Sequence, residues 1–141
     1  MTDDTLRSVD IERTGATRYL VRNARGGTLV TGTGEDEVFS PVELLLAAIG
    51  ACTAVDVDLI TSRRAEPDTF QIRVTGDKVK DPAGGSRMVN LHVEFTVRFP
   101  DGEAGDSARN ALPRAVRMSH ERLCTVSRTV EAGTPIATTV D

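Results

Sequence analysis

The rhythm of apolar and polar positions changes several times along this chain, and each change predicts an element. Residues 7–13 alternate, with Val9, Ile11 and Arg13 on one side and Ser8, Asp10 and Glu12 on the other. That two-residue period reads as a strand whose last inward position is an arginine. Gly15 allows a turn into a second strand, Arg18 to Asn23, and Arg25-Gly26-Gly27 a hairpin turn into a third, Thr28 to Thr31. Gly32-Thr33-Gly34 with Glu35, Asp36 and Glu37 then reads as a solvated loop. Three such strands can bury little by themselves.

The period next becomes helical. Ser40 can cap a helix, Pro41 suits its first turn, and Glu43 stands where a capping box needs its carboxylate. From Leu44 to Ile49 every residue is apolar, so the first turns carry carbon on all sides. A helix of that kind lies in a core or between subunits. Polar residues return at Asp56, Asp58, Thr61 and Ser62, and Arg63 and Arg64 suit the negative end of the helix dipole. Strands return after Glu66-Pro67. Phe70, Ile72 and Val74 alternate with Gln71, Arg73 and Thr75, Gly76 suggests a bulge, and Asp81 to Gly85 a hairpin loop. The following strand alternates cleanly, with Val89, Leu91, Val93, Phe95, Val97 and Phe99 facing in. A second helix falls between Asp106 and Arg122; Pro113 either kinks it or makes Asn110 a late cap. A short third helix runs from Cys124 to Glu131, Gly133 ends it, and Pro135 to Val140 reads as a last strand. The order is βββ-α-ββ-αα-β in one domain, residues 1–141.

Composition narrows the function. The net charge of −4 and an aromatic content of 4% argue against a nucleic-acid surface. The N-terminal stretch MTDDTLRSVD has neither a basic region nor an apolar one, so export is not expected. No continuous apolar run approaches the ~20 residues that cross a bilayer, so a soluble cytoplasmic protein without a membrane partner is the expectation. The two histidines and two cysteines are not grouped as zinc ligands usually are, and no phosphate loop or nucleophile elbow follows a strand. No metal and no bound cofactor are expected.

The two cysteines carry what chemistry remains. A free cysteine is often a small buried hydrophobe. In an unexported chain this pair is better read as thiols than as a permanent bridge. Cys124 stands where the first N–H groups of a helix can hold a thiolate. Cys52, with Gly50 and Ala51 beside it, lies among apolar residues that raise a thiol's pKa, so reactivity there requires a nearby cation. Asp56 is about 40° from Cys52 around the helix and one turn on. It is a candidate orienter for such a cation, or simply a carboxylate on the helix surface.

The stretch S-P-x-E-L-L-L-A-A-I-G-A-C-T-A-V-D-V, followed by E-R-L-C-T-V-S-R, resembles the OsmC/Ohr family of thiol-dependent peroxidases. The resemblance implies an α+β, two-layer fold and an intertwined homodimer around the central apolar helix. Dimerisation also answers the excess of apolar surface at the helix start. The implied activity is reduction of organic hydroperoxides, with Cys52 attacking, Cys124 resolving and an external dithiol, lipoyl in type, as reductant. Ile49, Val55 and Leu59 then favour a fatty or aryl hydroperoxide. A protein that binds a small apolar molecule, or senses or exchanges thiols, without peroxidase turnover is the alternative.

In the peroxidase branch of the family, an arginine from the N-terminal region pairs with a glutamate directly after the helix-initiating proline. Here that position is Val42. Glu43, one place on, lies roughly 180° around the helix from Cys52 and reads as the capping-box carboxylate. Arg13, at the end of the first strand, and Arg18, after the Gly15 turn, are the candidate arginines. Either is otherwise an ordinary solvated strand residue.

Overall fold

The computed structural model describes residues 4–141, so Met1 to Asp3 of the stretch read for an export signal lie outside it. The chain is α+β, with a three-stranded sheet, a two-stranded sheet and three α-helices among the described residues. Its contacts gather into two compact units, one ending at Leu45 and the other beginning at Leu46.

In the first unit β1 (Val9–Gly15), β2 (Arg18–Asn23) and β3 (Thr28–Thr31) form an antiparallel sheet in that order. Arg13 stands opposite Tyr19 in the register. The inward face expected of β1 is absent: Val9 is 59% and Ile11 63% exposed. The period of two gives sides to a strand, but a side is buried only where something packs on it. The turn into β2 also differs, because Gly15 belongs to β1 and Thr17 takes the positive φ, 55°. Between β2 and β3 the reading holds: Gly26 has φ 93°, and Asn23 Oδ1 accepts from the N–H groups of Arg25 and Gly27. Helix α1 (Pro41–Thr61) opens on the expected box. The Glu43 carboxylate accepts from the Ser40 N–H at 2.8 Å, and Ser40 Oγ accepts from the Glu43 N–H at 3.1 Å.

From Leu46 on, α1 belongs to the second unit and buries Ile49, Gly50, Thr53, Val57 and Thr61, which share one face. Gly50 is where it meets the second sheet: a Cβ there would come within 2.7 Å of Val74 Cγ2. This 21-residue helix is long and apolar enough by composition to cross a bilayer, although only 28% of its most apolar window is buried. Its continuous apolar run is short, as read, because Thr53, Asp56 and Asp58 interrupt that run without interrupting the helix. Arg63 and Arg64 fall in the turn beyond its last residue, and Arg64 donates to Ser107 Oγ at 3.1 Å.

β4 (Thr69–Lys80) and β5 (Ser86–Arg98) form a long hairpin, whose register shifts between Thr75 and Asp77 as Gly76 suggested. The core of this unit is Val97, Phe99 and Ala108, with Phe70, Phe95 and Leu112 packed around it. Phe70 and Phe95 meet edge to face, their centroids 6.5 Å apart. The inward face of β5 fades toward the hairpin tip, where Leu91 is 37% exposed and Asn90 has φ 54°. Helix α2 (Glu103–Met118) starts before Asp106, behind Gly102, and runs through Pro113 without a break. Of the two readings, the proline inside the helix is the one observed. A single π-helical turn, Ser119–Leu123, comes next, and then α3 (Thr125–Glu131), closed by Gly133 at φ 65°.

The final strand predicted for Pro135 to Val140 is not present. Ile136 is 92% and Val140 95% exposed. Apolar residues at such spacing make a strand only with a neighbour to complete the ladder, and among the described residues the segment has none.

Candidate active site

Three of the five residues singled out in the sequence meet in the second unit. The Sγ atoms of Cys52 and Cys124 and a carboxylate oxygen of Asp56 all lie within 4.8 Å of one another. Both cysteines are free thiols. Cys52 and Asp56 reach this point from one face of α1, as their helical spacing requires.

Cys124 arrives by a different route. The π-helical turn ends with the Cys124 N–H donating to Ser119 O at 2.8 Å. A π turn holds one residue more than an α turn, which shifts the phase of the residues after it. The backbone then becomes extended at Cys124 (φ −74°, ψ 98°), and the residue caps α3 rather than forming its first turn. Its sulfur accepts from the Ser127 N–H at 3.4 Å and faces Ser127 Oγ at 3.2 Å. Cys124 is fully buried, whereas Cys52 is half-buried, so a molecule arriving from solvent reaches Cys52 first.

Asp56 is held by a residue the sequence did not single out. Ser119 Oγ donates to Asp56 Oδ2 at 2.8 Å and also lies 2.8 Å from Thr53 Oγ1. Ser119 is fully buried. Among the described residues the side-chain hydrogen bond of Asp56 comes from this serine, and no arginine shares it. Of the two arginines, Arg18 forms an ion pair with Asp36, which also accepts from the Val38 N–H. The Arg18 hydrogen bond and then the Val38 N–H hold the Asp36 carboxyl below the usual range. Arg13 lies on β1.

Burial pushes the Cys52 thiol above the ordinary cysteine value, and the nearby Cys124 and the Asp56 charge push the same way. The Val126 backbone N–H, in the first turn of α3, opposes them. This is the behaviour read from the sequence for a cysteine among apolar groups.

A cavity of about 440 Å³ opens beside these groups. Ile49, Val93, Phe95 and Val116 line it, along with Thr53 and Ser127, the neighbours of the two cysteines. Its rim carries His120, whose Nε2 is 3.4 Å from Glu131 Oε1. Ile49 therefore faces an apolar space as expected, but Val55 and Leu59 are 58% and 59% exposed on the outer side of α1. Neither Ser119 nor the cavity left a signal in the sequence. Ser127 did, since a capping side chain bonds the N–H three residues on.

The OsmC-like protein family matches residues 34–139, and the chain belongs to that family. It is 32% identical over 127 residues to an uncharacterized protein of Mycobacterium tuberculosis, covering 89% of this chain and 90% of that one. Among solved structures it is similar to an OsmC-like protein of Vibrio cholerae, with a TM-score of 0.74 at 13% identity over 89% of this chain and 94% of that one. It is also similar to the organic hydroperoxide resistance protein OhrB of Bacillus subtilis, with a TM-score of 0.53 at 17% identity over 86% and 90%. At those identities the two structures share the fold.

Proposed function

We propose that this protein is a cysteine-based peroxidase that reduces organic hydroperoxides in the cytoplasm. The observation that carries the reading is the pair of free sulfurs within 4.8 Å of each other, one accessible and one buried. The Cys52 thiolate attacks the terminal peroxide oxygen; an S–O bond forms as the O–O bond breaks, and the alkoxide leaves as the alcohol after taking a proton. Cys52 is then a sulfenic acid. Cys124 attacks its sulfur, an S–S bond forms, and the hydroxyl leaves as water. An external dithiol of lipoyl type exchanges with the disulfide, restoring both thiols and becoming oxidised itself.

The sulfurs need move at most about 2.8 Å to reach bonding distance, since an S–S bond is close to 2.05 Å. The apolar cavity suits the tail of a fatty or aryl hydroperoxide better than hydrogen peroxide. The family name and the hydroperoxide resistance for which OhrB is named agree with this chemistry. The working unit is a homodimer, with the exposed apolar side of α1 at Ala51, Val55 and Leu59 covered by a second copy. The rival reading, binding of an apolar molecule without turnover, draws on the same cavity and on the raised Cys52 pKa.

Consumption of cumene hydroperoxide, with dihydrolipoamide as reductant, decides between them. Multiple turnovers per chain, with hydrogen peroxide a poorer substrate, are expected. Binding of the hydroperoxide with no loss of peroxide would leave the rival standing.

A further inference from the structure

We propose that Cys52, Asp56 and Cys124 together bind one thiophilic divalent cation of the zinc class in the reduced protein. Two sulfurs and a carboxylate oxygen make a donor set that zinc accepts in known sites, and soft thiolates select it over magnesium or calcium. The size also fits. Three atoms at most 4.8 Å apart fit inside a circle whose centre is no more than about 2.8 Å from any of them, against ~2.3 Å for a zinc–sulfur bond and ~2.1 Å for a zinc–oxygen bond. Closing by about half an ångström is within reach of small side-chain rotations.

The surroundings are those of a ligand set held in place. The Asp56 carboxylate is bonded through Oδ2 to buried Ser119, which is itself tied to Thr53. Such outer partners fix the direction of a ligating carboxylate. Cys124 is fixed by its capping role at α3, while half-buried Cys52 and Asp56 leave an approach from solvent. Binding replaces the two thiol protons, which pass to buffer, and leaves a fourth position for water. Because the same sulfurs are engaged, metal and peroxide compete: the bound cation protects the dithiol from oxidation, and the disulfide form cannot bind it.

The test uses the reduced protein and Co²⁺ as a spectroscopic probe, then Zn²⁺ in competition. One Co²⁺ per chain, with thiolate-to-cobalt charge-transfer absorption in the near ultraviolet, is expected. Zn²⁺ should remove that absorption and slow alkylation of both cysteines by iodoacetamide at least tenfold. Asp56→Asn should weaken Zn²⁺ binding at least tenfold, whereas Asp58→Asn, at an exposed position on the same helix, should bind like the wild type. Protein oxidised to the disulfide should bind none. Wild-type protein that takes up Co²⁺ without charge-transfer absorption, or an Asp56→Asn variant with undiminished affinity, would overturn the proposal. None of these measurements uses a peroxide. Loss of metal binding with peroxide turnover intact condemns the metal site alone, and the converse condemns the peroxidase reading alone.

Discussion

Ser119 Oγ and Asp56 Oδ2 are hydrogen-bonded at 2.8 Å, with the two residues 63 positions apart in the chain. The serine hydroxyl has one hydrogen and gives it to the carboxylate, so Thr53 donates to Ser119 in turn. The result is a buried relay from the π-helical turn to α1 that aims one carboxylate at two sulfurs. Replacing Ser119 by alanine leaves Thr53 and Asp56 without their shared partner. The expected cost is about 1–3 kcal/mol, read as a lower urea midpoint at unchanged slope.

Burial is the main reason that Cys52 holds its proton, and Asp56 adds to it. Its charge helps hold the thiol protonated, so Asp56→Asn should move the pH profile of Cys52 alkylation to lower pH. Folding is linked to the same proton. Folded Cys52 keeps its proton to higher pH than the unfolded chain does, so the folded state binds more protons in the alkaline range. Stability from this group is complete below the ordinary cysteine value and is lost as pH rises toward the folded one. Cys52→Ser should flatten that alkaline loss in urea denaturation measured across pH.

The two cysteines should behave differently toward one equivalent of hydroperoxide. Cys124→Ser should consume it once and retain Cys52 as a sulfenic acid, which excess oxidant carries on to the sulfinic acid. Cys52→Ser should consume none. The wild type should instead form one intramolecular disulfide. Mass spectrometry of the three proteins reads the outcome, and oxidation confined to Cys124 in the wild type would reverse the assignment.

The family resemblance calls for an activating arginine, and Arg13 is our first choice because the Arg18 guanidinium already pairs with Asp36. Arg13→Met should shift the Cys52 alkylation profile upward by about one pH unit. An unchanged profile with a shift in Arg18→Met would transfer the role.

Dimerisation should depend on the exposed apolar side of α1. The intact protein should scatter light as a dimer at micromolar concentration, with an interface above ~2,000 Å². Leu59→Glu places a charge on a residue that is 59% exposed in the single chain, and should shift the protein to monomer. A monomeric wild type would remove the dimer from the reading.

Gly105 offers a test of packing at the start of α2. It is buried, and a Cβ there would overlap the Pro100 carbonyl oxygen. Gly105→Ala should therefore cost about 1–3 kcal/mol despite alanine's better helix propensity, measured as a fall in unfolding free energy.

Elements whose signals are local were legible in the chain. The Ser40–Glu43 box, the Gly76 bulge and the Gly133 stop each depend on residues a few positions apart, and each occurs as read. The meeting of Cys52 and Asp56 was legible for the same reason, since one helical turn joins them. The inward face of β1 and the strand expected from Pro135 to Val140 were misjudged because apolar alternation shows what a strand could bury, not whether a partner exists.

By itself, then, the sequence determined the family, the long apolar helix and the two thiols, because spacing along the chain and the motifs around Cys52 and Cys124 carry that information. Only the tertiary structure decided what stands beside the sulfurs. Ser119 sits 66 positions from Thr53 and reaches it through a π-helical turn that no periodicity announces. One extra residue in that turn sets where Cys124 points. The contacts among Thr53, Asp56, Ser119 and the two cysteines are thus a property of how helices pack, and such packing is written in no single stretch of the chain.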